Sequence, residues 1–406
     1  MPAVPPRCMP RCSCSPSAAS RSMPASCASS SVFFTGTAAD AASLPDGRIM
    51  TGISTNRPRL VFFDSWVDSV AETMLRDRDD LELVKLDYAT PETRNWQIMA
   101  GAHGYQVQAR TELREPWFGD AALIARCPNL LAMSSTGAGY DYIDVDACTA
   151  AGVLVCNQGG TNTEAVAEHA LGMMLALSKR IGLADKLLRR PGAAVDRYAL
   201  QGNDIHGKTV GIIGIGTIGR RFAELCHRLF GMTVLACDPY LDADEIARRH
   251  GRKVDLGELL RSSDYISVHC PRSKETLNML GAAEFALMKP TAYFINTARG
   301  GIHDEEALAA ALRERRIAGA GIDVFLKEPP PPDHPLLAFD NVLATPHTGG
   351  ITEEALRQMA VSAAEQWIEL LNGRAPPRIV NLEAWPNFSR RFTTIMGFAP
   401  QLPAYS

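Results

Sequence analysis

The sequence predicts an α/β protein built from two Rossmann-like or flavodoxin-like lobes, each with a parallel sheet, and a cleft between them. Three observations carry this expectation. Short apolar runs alternate with helical stretches over most of the chain. A glycine-rich turn, G-I-G-T-I-G at 214–219, stands between a strand-like run and a helical one. A long Ala/Leu/Met-rich segment at 163–181 separates an upstream α/β series from a downstream one. Strands separated by helices, not by tight turns, belong to a parallel sheet covered on both faces.

In the upstream series, Leu60–Phe63 is a short apolar run and residues 81–86 alternate with period two. Leu130–Met133 and Val153–Cys156 are further buried-strand candidates, and Val67–Arg76 is helix-like. Thr163–Ile181 spans nearly five turns, is apolar on most faces, and has Thr163 as a candidate cap; such a helix is expected to pack between two bodies. The sequence loosens through Arg189–Gly192 to Gly207. Six strand candidates follow: Thr209–Ile213, Val234–Cys237, Tyr265–Val268, Ala292–Ile295, Gly319–Ile322 and Val342–Ala344. Six strands fit a dinucleotide-binding sheet. Glu353–Leu371 is expected as a long helix, and the tail after Pro376 as Pro-rich and irregular.

Residues 1–49 are rich in Ser, Ala, Pro, Arg and Cys, with two acids, Asp40 and Asp46. A segment with no apolar period cannot bury enough surface to offset its ordering entropy. Three readings compete: a transit-like peptide, a disordered tail, or an extension upstream of a start at Met50. The strand-like run just after Met50 favours the third.

The chain has 406 residues, 46% apolar and 21% charged, with a net charge of −4. A balance this mild gives no electrostatic footprint for nucleic acid. No apolar run reaches the ~18–20 residues that span a bilayer. A soluble, cytoplasmic protein is expected, with no nucleic-acid or membrane partner. Of ten cysteines, four lie in the first 30 residues. The other six (Cys127, Cys148, Cys156, Cys226, Cys237, Cys270) are scattered singly and read as small buried thiols. The pattern C-x3-C-x-C near the start lacks a second pair of ligands, so no metal is expected.

The turn at 214–219 has the context a dinucleotide site requires. Gly214 permits the tight turn, Gly216 lets the backbone approach a pyrophosphate, and Gly219 allows close packing of helix on strand. The helix N-terminus offers free N–H groups and a partial positive charge to phosphates. Asp238, at the end of the next strand, suits both ribose hydroxyls and repels a 2′-phosphate, so NAD is expected over NADP.

Three downstream residues add acid–base chemistry: Arg299 in N-T-A-R-G-G, Glu328 in K-E-P-P and His347 in T-P-H-T-G-G. A planar guanidinium pairs bidentately with a carboxylate. An imidazole titrates near neutral pH and moves protons, and a carboxylate can fix its tautomer. Among nine histidines, His347 is singled out because it follows a strand directly, where α/β folds place ligands. His169 reads as a core or interface residue. His103, His206, His227 and His250 read as solvated, His269 and His303 flank strand ends, and His334 shapes a Pro-rich loop.

Together these motifs resemble the D-isomer-specific 2-hydroxyacid dehydrogenase family over roughly residues 58–375. They run in order from S-T-G-A-G-Y-D-Y-I-D (135–144) and N-T-E-A-V-A-E-H-A-L (162–171) to T-P-H-T-G-G (345–350). The resemblance implies an NAD-dependent enzyme interconverting a small D-2-hydroxy acid and its 2-keto acid. His347 would exchange the proton, oriented by Glu328, and Arg299 would bind the substrate carboxylate. Backbone N–H groups of Thr136, Gly137, Ala138 and Gly139 would hold its other side. Thr217 and Ile218 would meet the pyrophosphate. Cys270, Pro271 and Thr276 would line the adenosine side, and Thr297, Ala298, Asp323 and Gly349 the nicotinamide side.

The resemblance also implies a homodimer, a discontinuous substrate domain (58–157 plus 346–385) and an NAD-binding domain (158–345). The family's phosphite-oxidising members carry Lys where this chain has Ala138, which argues against that activity. About 35 residues follow the expected last helix, fewer than the regulatory domain of larger phosphoglycerate dehydrogenases, so feedback through such a domain is not expected. Corepressors of the same architecture set the alternative expectation, an NAD(H)-responsive interaction protein.

Overall fold

A computed structural model describes residues 57–109, 112–192 and 195–401. The first sheet joins β1 (Arg59–Phe63), β2 (Glu82–Leu86), β3 (Gly104–Val107), β4 (Ala132–Ser135) and β5 (Leu154–Cys156) in the order β2-β1-β3-β4-β5, all parallel. That is the flavodoxin-like order. Successive residues of a strand face opposite sides, and the core divides accordingly. Val61, Phe63, Tyr105, Met133 and Val155 pack on one face. Leu60, Phe62, Ala132 and Leu154 pack on the other, against Ala360, Ala364, Trp367, Phe388 and Phe392 from the C-terminal part of the chain.

The second sheet holds β6 (Thr209–Ile213), β7 (Thr233–Cys237), β8 (Arg252–Lys253), β9 (Tyr265–Val268), β10 (Tyr293–Asn296), β11 (Gly319–Ile322) and β12 (Val342–Ala344). Its order is β12-β11-β10-β9-β6-β7-β8, again wholly parallel. Counted from β6, this is the dinucleotide-binding order with one strand added at the edge. The strand order reverses between β6 and β9, which opens a crevice at their carboxyl ends. The helix Thr217–Phe230 buries Gly219, Phe222, Ala223 and Cys226 on one stripe and ends on Gly231 at φ 57°, a left-handed cap suited to glycine.

The two-lobed α/β class and the six main strands of the second sheet appear as expected, with small boundary shifts; β8 is an additional short strand. The helix Glu353–Leu371 matches its expected bounds, with Thr352 accepting a hydrogen bond from the Ala355 N–H at 3.1 Å. Other expectations are corrected. The expected strand 130–133 lies two residues later; Leu130 and Leu131 are buried in the segment that leads into it. The helix expected over 163–181 stops at Ser178, since Arg180 takes φ 50°. Its N-cap position is Asn162; Thr163 is the first helical residue and its hydroxyl donates to the Gly160 carbonyl at 2.9 Å. A separate helix, Ile181–Leu188, follows.

The tail after Pro376 is not irregular throughout. Trp385–Met396 is a helix whose Trp385, Phe388 and Phe392 are buried. Of the six scattered cysteines, Cys127, Cys148, Cys156 and Cys226 are buried, whereas Cys237 and Cys270 are half-buried. No described helix is long and apolar enough to cross a membrane, and no cluster that could hold a metal is found among the described residues. Residues 1–49, with their three competing readings, lie outside the described residues.

Candidate active site

The loops after β6, β7, β9, β10, β11 and β12 carry the expected residues to one edge of the second sheet. After β6, Gly214 takes φ 84°, and a Cβ there would lie 2.7 Å from the Cys270 nitrogen. A Cβ on Gly219 would lie 2.2 Å from the Gly214 carbonyl oxygen, so the helix can approach the turn only without one. Gly216, by contrast, has open space where its Cβ would stand. Thr217 and Ile218 open the helix behind it. Asp238 follows β7 directly; its carboxylate accepts from the Ile215 N–H at 3.1 Å and the Tyr240 N–H at 3.0 Å. Asp238 thereby ties the glycine turn to the end of β7.

Across the crevice, Cys270 and Pro271 follow β9. Burial pushes the Cys270 thiol up to about 11, so it stays protonated and uncharged at neutral pH. The Thr276 hydroxyl donates to the Pro271 carbonyl at 2.7 Å and accepts from the Ser273 N–H, closing its own loop. After β10, fully buried Asn296 organises the next turn. Its amide donates to the Arg299 carbonyl and to His303 Nδ1, both at 3.0 Å, and its oxygen accepts from the Ala298 N–H at 2.9 Å. The buried Thr297 hydroxyl oxygen has no hydrogen-bond partner among the described residues. A buried polar atom without a partner is a rarity that calls for a ligand or water.

Open space at Gly216, a carboxylate at the end of β7 and the unpaired Thr297 hydroxyl lie along one carboxyl edge. These residues fit a dinucleotide laid across it.

Arg299 reaches over to the first sheet. Its Nε donates to Asp141 at 3.2 Å and its Nη1 to the Ala298 carbonyl at 2.7 Å. Nη2 abuts the loop after β4 so closely that a Cβ on Gly139 would lie 1.7 Å from it. That loop is Thr136, Gly137, Ala138 and Gly139. The Thr136 N–H donates to the Val107 carbonyl at 3.1 Å, so it is not free for a ligand, which corrects the expectation for that residue. The N–H groups of Gly137, Ala138 and Gly139 have no acceptor among the described residues. The Gly137 carbonyl accepts from Ser135 and from the Gln158 N–H, and the Ala138 carbonyl from Asn157, which fixes the loop from behind.

His347 follows β12 with φ 57°. A non-glycine residue in that region is strained unless its surroundings hold it. Buried Asp323, after β11, supplies the hold. Its carbonyl accepts from the His347 N–H at 2.7 Å, and its carboxylate accepts from the Thr345 hydroxyl (2.6 Å), the Thr348 N–H (2.8 Å) and the Gly349 N–H (2.9 Å). A Cβ on Gly349 would lie 2.8 Å from that carboxylate. The His347 ring lies 2.8 Å, Nδ1 to Oε2, from Glu328. The other Glu328 oxygen accepts from the Phe325 N–H at 3.0 Å. Burial alone would raise the Glu328 pKa. The hydrogen bond and charge of His347, the Phe325 N–H and the charge of Arg299 outweigh it and hold the carboxyl below its ordinary range. An ionised carboxylate only accepts, so Nδ1 carries the hydrogen and Nε2 is left for other chemistry.

Several residues were missed or misassigned by sequence reasoning. Asp141, paired with Arg299, lies in the quoted motif S-T-G-A-G-Y-D-Y-I-D, yet nothing in spacing shows a contact 158 residues away. His169, expected as a core or interface residue, is half-buried; its Nε2 reaches Thr345 Oγ1 at 3.0 Å and lies beside Asp323, contacts that spacing does not show. His103, expected as solvated, is buried and accepts from the Arg59 N–H at 3.0 Å.

An α/β fold with a dinucleotide crevice, and a histidine–carboxylate pair and an arginine at its edge, defines a nucleotide-dependent acid–base site. Comparison with known proteins agrees. The family described as D-isomer specific 2-hydroxyacid dehydrogenase, NAD binding domain, matches residues 171–349. A glyoxylate reductase of Thermofilum pendens is 41% identical over 267 residues, 65% of this chain and 78% of that protein. A D-3-phosphoglycerate dehydrogenase of Archaeoglobus fulgidus is 40% identical over 263 residues, 65% of this chain but about half, 49%, of that longer protein. The structure of an Aquifex aeolicus D-lactate dehydrogenase complexed with NAD and lactic acid aligns with TM-score 0.66 and 28% identity, covering 81% of this chain and 98% of that one. The chain belongs to the D-isomer-specific 2-hydroxyacid dehydrogenase family and carries its NAD-binding domain.

Proposed function

We propose that this protein is an NAD-dependent oxidoreductase that interconverts a small D-2-hydroxy acid and its 2-keto acid. The observation that carries this reading is the His347–Glu328 pair, 2.8 Å apart, with Arg299 close enough to act on the same carboxylate. NAD, when bound, accepts or supplies the hydride at the substrate's C2. The residues that would hold it are Gly214, Gly216, Thr217, Ile218 and Gly219 at the pyrophosphate, and Asp238 at the ribose. Cys270, Pro271 and Thr276 would flank the adenosine, and Thr297, Ala298, Asp323 and Gly349 the nicotinamide.

Arg299 and the free N–H groups of Gly137, Ala138 and Gly139 clamp the substrate carboxylate from two sides. A guanidinium pressed against the loop also polarises the adjacent C2 oxygen. His347 exchanges a proton with that oxygen through Nε2, because Nδ1 is held by Glu328. Glu328 fixes the tautomer and stabilises the imidazolium that forms during oxidation. Asp238 repels a 2′-phosphate, which supports NAD over NADP.

The parts that bind substrate are read as residues 58–157 plus 346–385, and the cofactor domain as 158–345. Packing of Trp367 and Phe388 against the first sheet supports the return of the chain to the first lobe. A homodimer is the proposed assembly; exposed Ile181, Leu188 and Tyr198 offer apolar surface for it on the second lobe.

Absorbance of NADH on mixing with glyoxylate, hydroxypyruvate, pyruvate and 2-ketogluconate tests the reaction. Loss of absorbance with at least one keto acid is expected. Tight NADH binding with no turnover of any of them would overturn the enzymatic reading.

A further inference from the structure

The Glu328 loop, residues 325–336, is proline-rich and carries no strand or α-helix before the short turn Pro335–Ala338. Besides the Phe325 N–H within it, something outside the loop must fix the segment that carries Glu328. Glu305, the first residue of the helix Glu305–Arg313, does so at two points. Its Oε1 accepts from the Leu326 N–H at 2.7 Å, and its Oε2 meets His334 Nε2 at 3.1 Å. On the other side of the ring, His334 Nδ1 accepts from the Leu336 N–H at 3.3 Å. Nδ1 is thus an acceptor, so Nε2 carries the hydrogen and donates it to Glu305. The His334 ring also stands edge-on to Phe325 at 5.2 Å. One carboxylate and one imidazole, both largely buried, therefore staple both ends of the segment 326–334, and Glu328 lies inside it.

We infer that His334 and Glu305 form a clamp that positions Glu328, and through it His347, for proton exchange. This rests on the acid–base reading given above. Neither residue touches the reacting atoms; both are positioning residues. The titratable neighbours of His334 are Glu305, His303 from the segment leading into the same helix, and Asp333 beside it in the chain. Loss of the clamp leaves Glu328 buried but free to rotate away from the His347 Nδ1–H. A displacement of ~1 Å in a catalytic group can lower rate by ~10²-fold.

His334→Ala breaks both contacts of the ring. His334→Gln keeps a neutral donor for Glu305 and a nearby acceptor for Leu336. Glu305→Gln keeps an acceptor for Leu326 but sets an amide donor against the His334 donor. Steady-state kinetics across pH are measured for the wild type and the three variants. In His334→Ala and Glu305→Gln, kcat should fall by up to about a hundredfold with KM for NADH unchanged. The low-pH limb of kcat/KM should move upward as Glu328 loses its hydrogen bond. His334→Gln should recover most of the loss. Glu305→Gln decides the matter if His334→Ala does not fold. Unchanged kcat and an unmoved low-pH limb in Glu305→Gln, or no recovery in His334→Gln, would overturn the clamp.

A second readout separates this from failure of the acid–base reading. The 13C shift of the Glu328 carboxyl, assigned by its loss in Glu328→Gln, is titrated in the wild type and in Glu305→Gln. A raised midpoint supports the clamp even if no keto acid is turned over. An unmoved midpoint overturns it.

Discussion

Glu328 Oε2 and His347 Nδ1 stand 2.8 Å apart, although one follows β11 and the other β12. The Asp323 carboxylate holds the His347 loop, and the Phe325 N–H holds the second Glu328 oxygen. The pair is thus set before any ligand arrives. His347→Ala removes the proton carrier and should lower kcat by ~10²–10⁴-fold. NADH affinity, followed by fluorescence titration, should change little, since the ring contributes nothing to the glycine turn. Glu328→Gln should lower kcat by a smaller factor, because the imidazole remains. If His347→Ala instead loses NADH binding, the role assigned to the ring is wrong.

Gly139 and Arg299 meet across the cleft with no room for a methyl group, since an added Cβ would fall 1.7 Å from Nη2. Gly139→Ala must move the guanidinium or the loop. The substrate carboxylate then loses one side of its clamp. KM for the keto acid should rise by at least tenfold, a loss of about 1.4 kcal/mol, close to the lower end of the range for a hydrogen bond to a charged group. NADH binding is the control and should stay. An unchanged KM for every accepted keto acid would show that Arg299 does not hold the substrate.

Asp238 serves two tasks that one substitution separates. Its oxygens accept from the Ile215 and Tyr240 N–H groups, which shapes the turn, and in the function proposed above its charge meets the ribose. Asp238→Asn keeps an acceptor for the turn but removes the charge. Affinity for NADH should fall, and the ratio of kcat/KM for NADPH over NADH should rise by about tenfold or more, a difference of ~1.4 kcal/mol. A ratio that stays where the wild type has it would remove Asp238 from cofactor choice.

The nucleotide half was legible because its signals are local. A strand, three glycines at fixed spacing and an amphipathic helix stand within 22 residues (209–230); Gly214 and Gly219 have steric causes in the structure, and Gly216 leaves open space. Arg299, Glu328 and His347 were legible for the same reason: each directly follows a strand or lies within a few residues of one. What failed depended on distant partners. β3, Gly-Tyr-Gln-Val, does not look like a central strand. Its Gln106 is buried only because the Trp367 indole donates to it at 2.7 Å, and its Gly104 leaves room for that same ring. The helix Trp385–Met396 was hidden by prolines before it and by Arg390 and Arg391 within it. Aromatic residues at 385, 388 and 392 follow a helical period that was there to be read. The Asp141–Arg299 pair and the hold of Glu305 on residues 326–334 are tertiary facts without a sequence period.

Two buried histidines give stability a pH dependence distinct from that of activity. Burial pushes His269 down to about 3 and His303 down to about 4, from 6.5. Each ring is neutral in the fold. His269 shares a hydrogen bond with the Ser267 hydroxyl at 2.9 Å, and His303 Nδ1 accepts from Asn296, under the Arg299 turn. The unfolded chain binds these protons at a higher pH than the folded one does. Their stability is therefore intact above pH 6.5 and declines as pH falls toward about 4, for His269 toward about 3. The slope approaches ~1.4 kcal/mol per pH unit for each ring. Glu328, also held down, contributes below the ordinary carboxylate value of 4.5, outside the pH range of the test that follows. Urea unfolding at a series of pH values between ~7 and ~5 should show the wild type losing stability, and His303→Gln losing less per pH unit, because glutamine does not titrate. Equal slopes in the two proteins would mean that His303 is protonated in the fold, and that the Asn296 contact beneath Arg299 is not the one described.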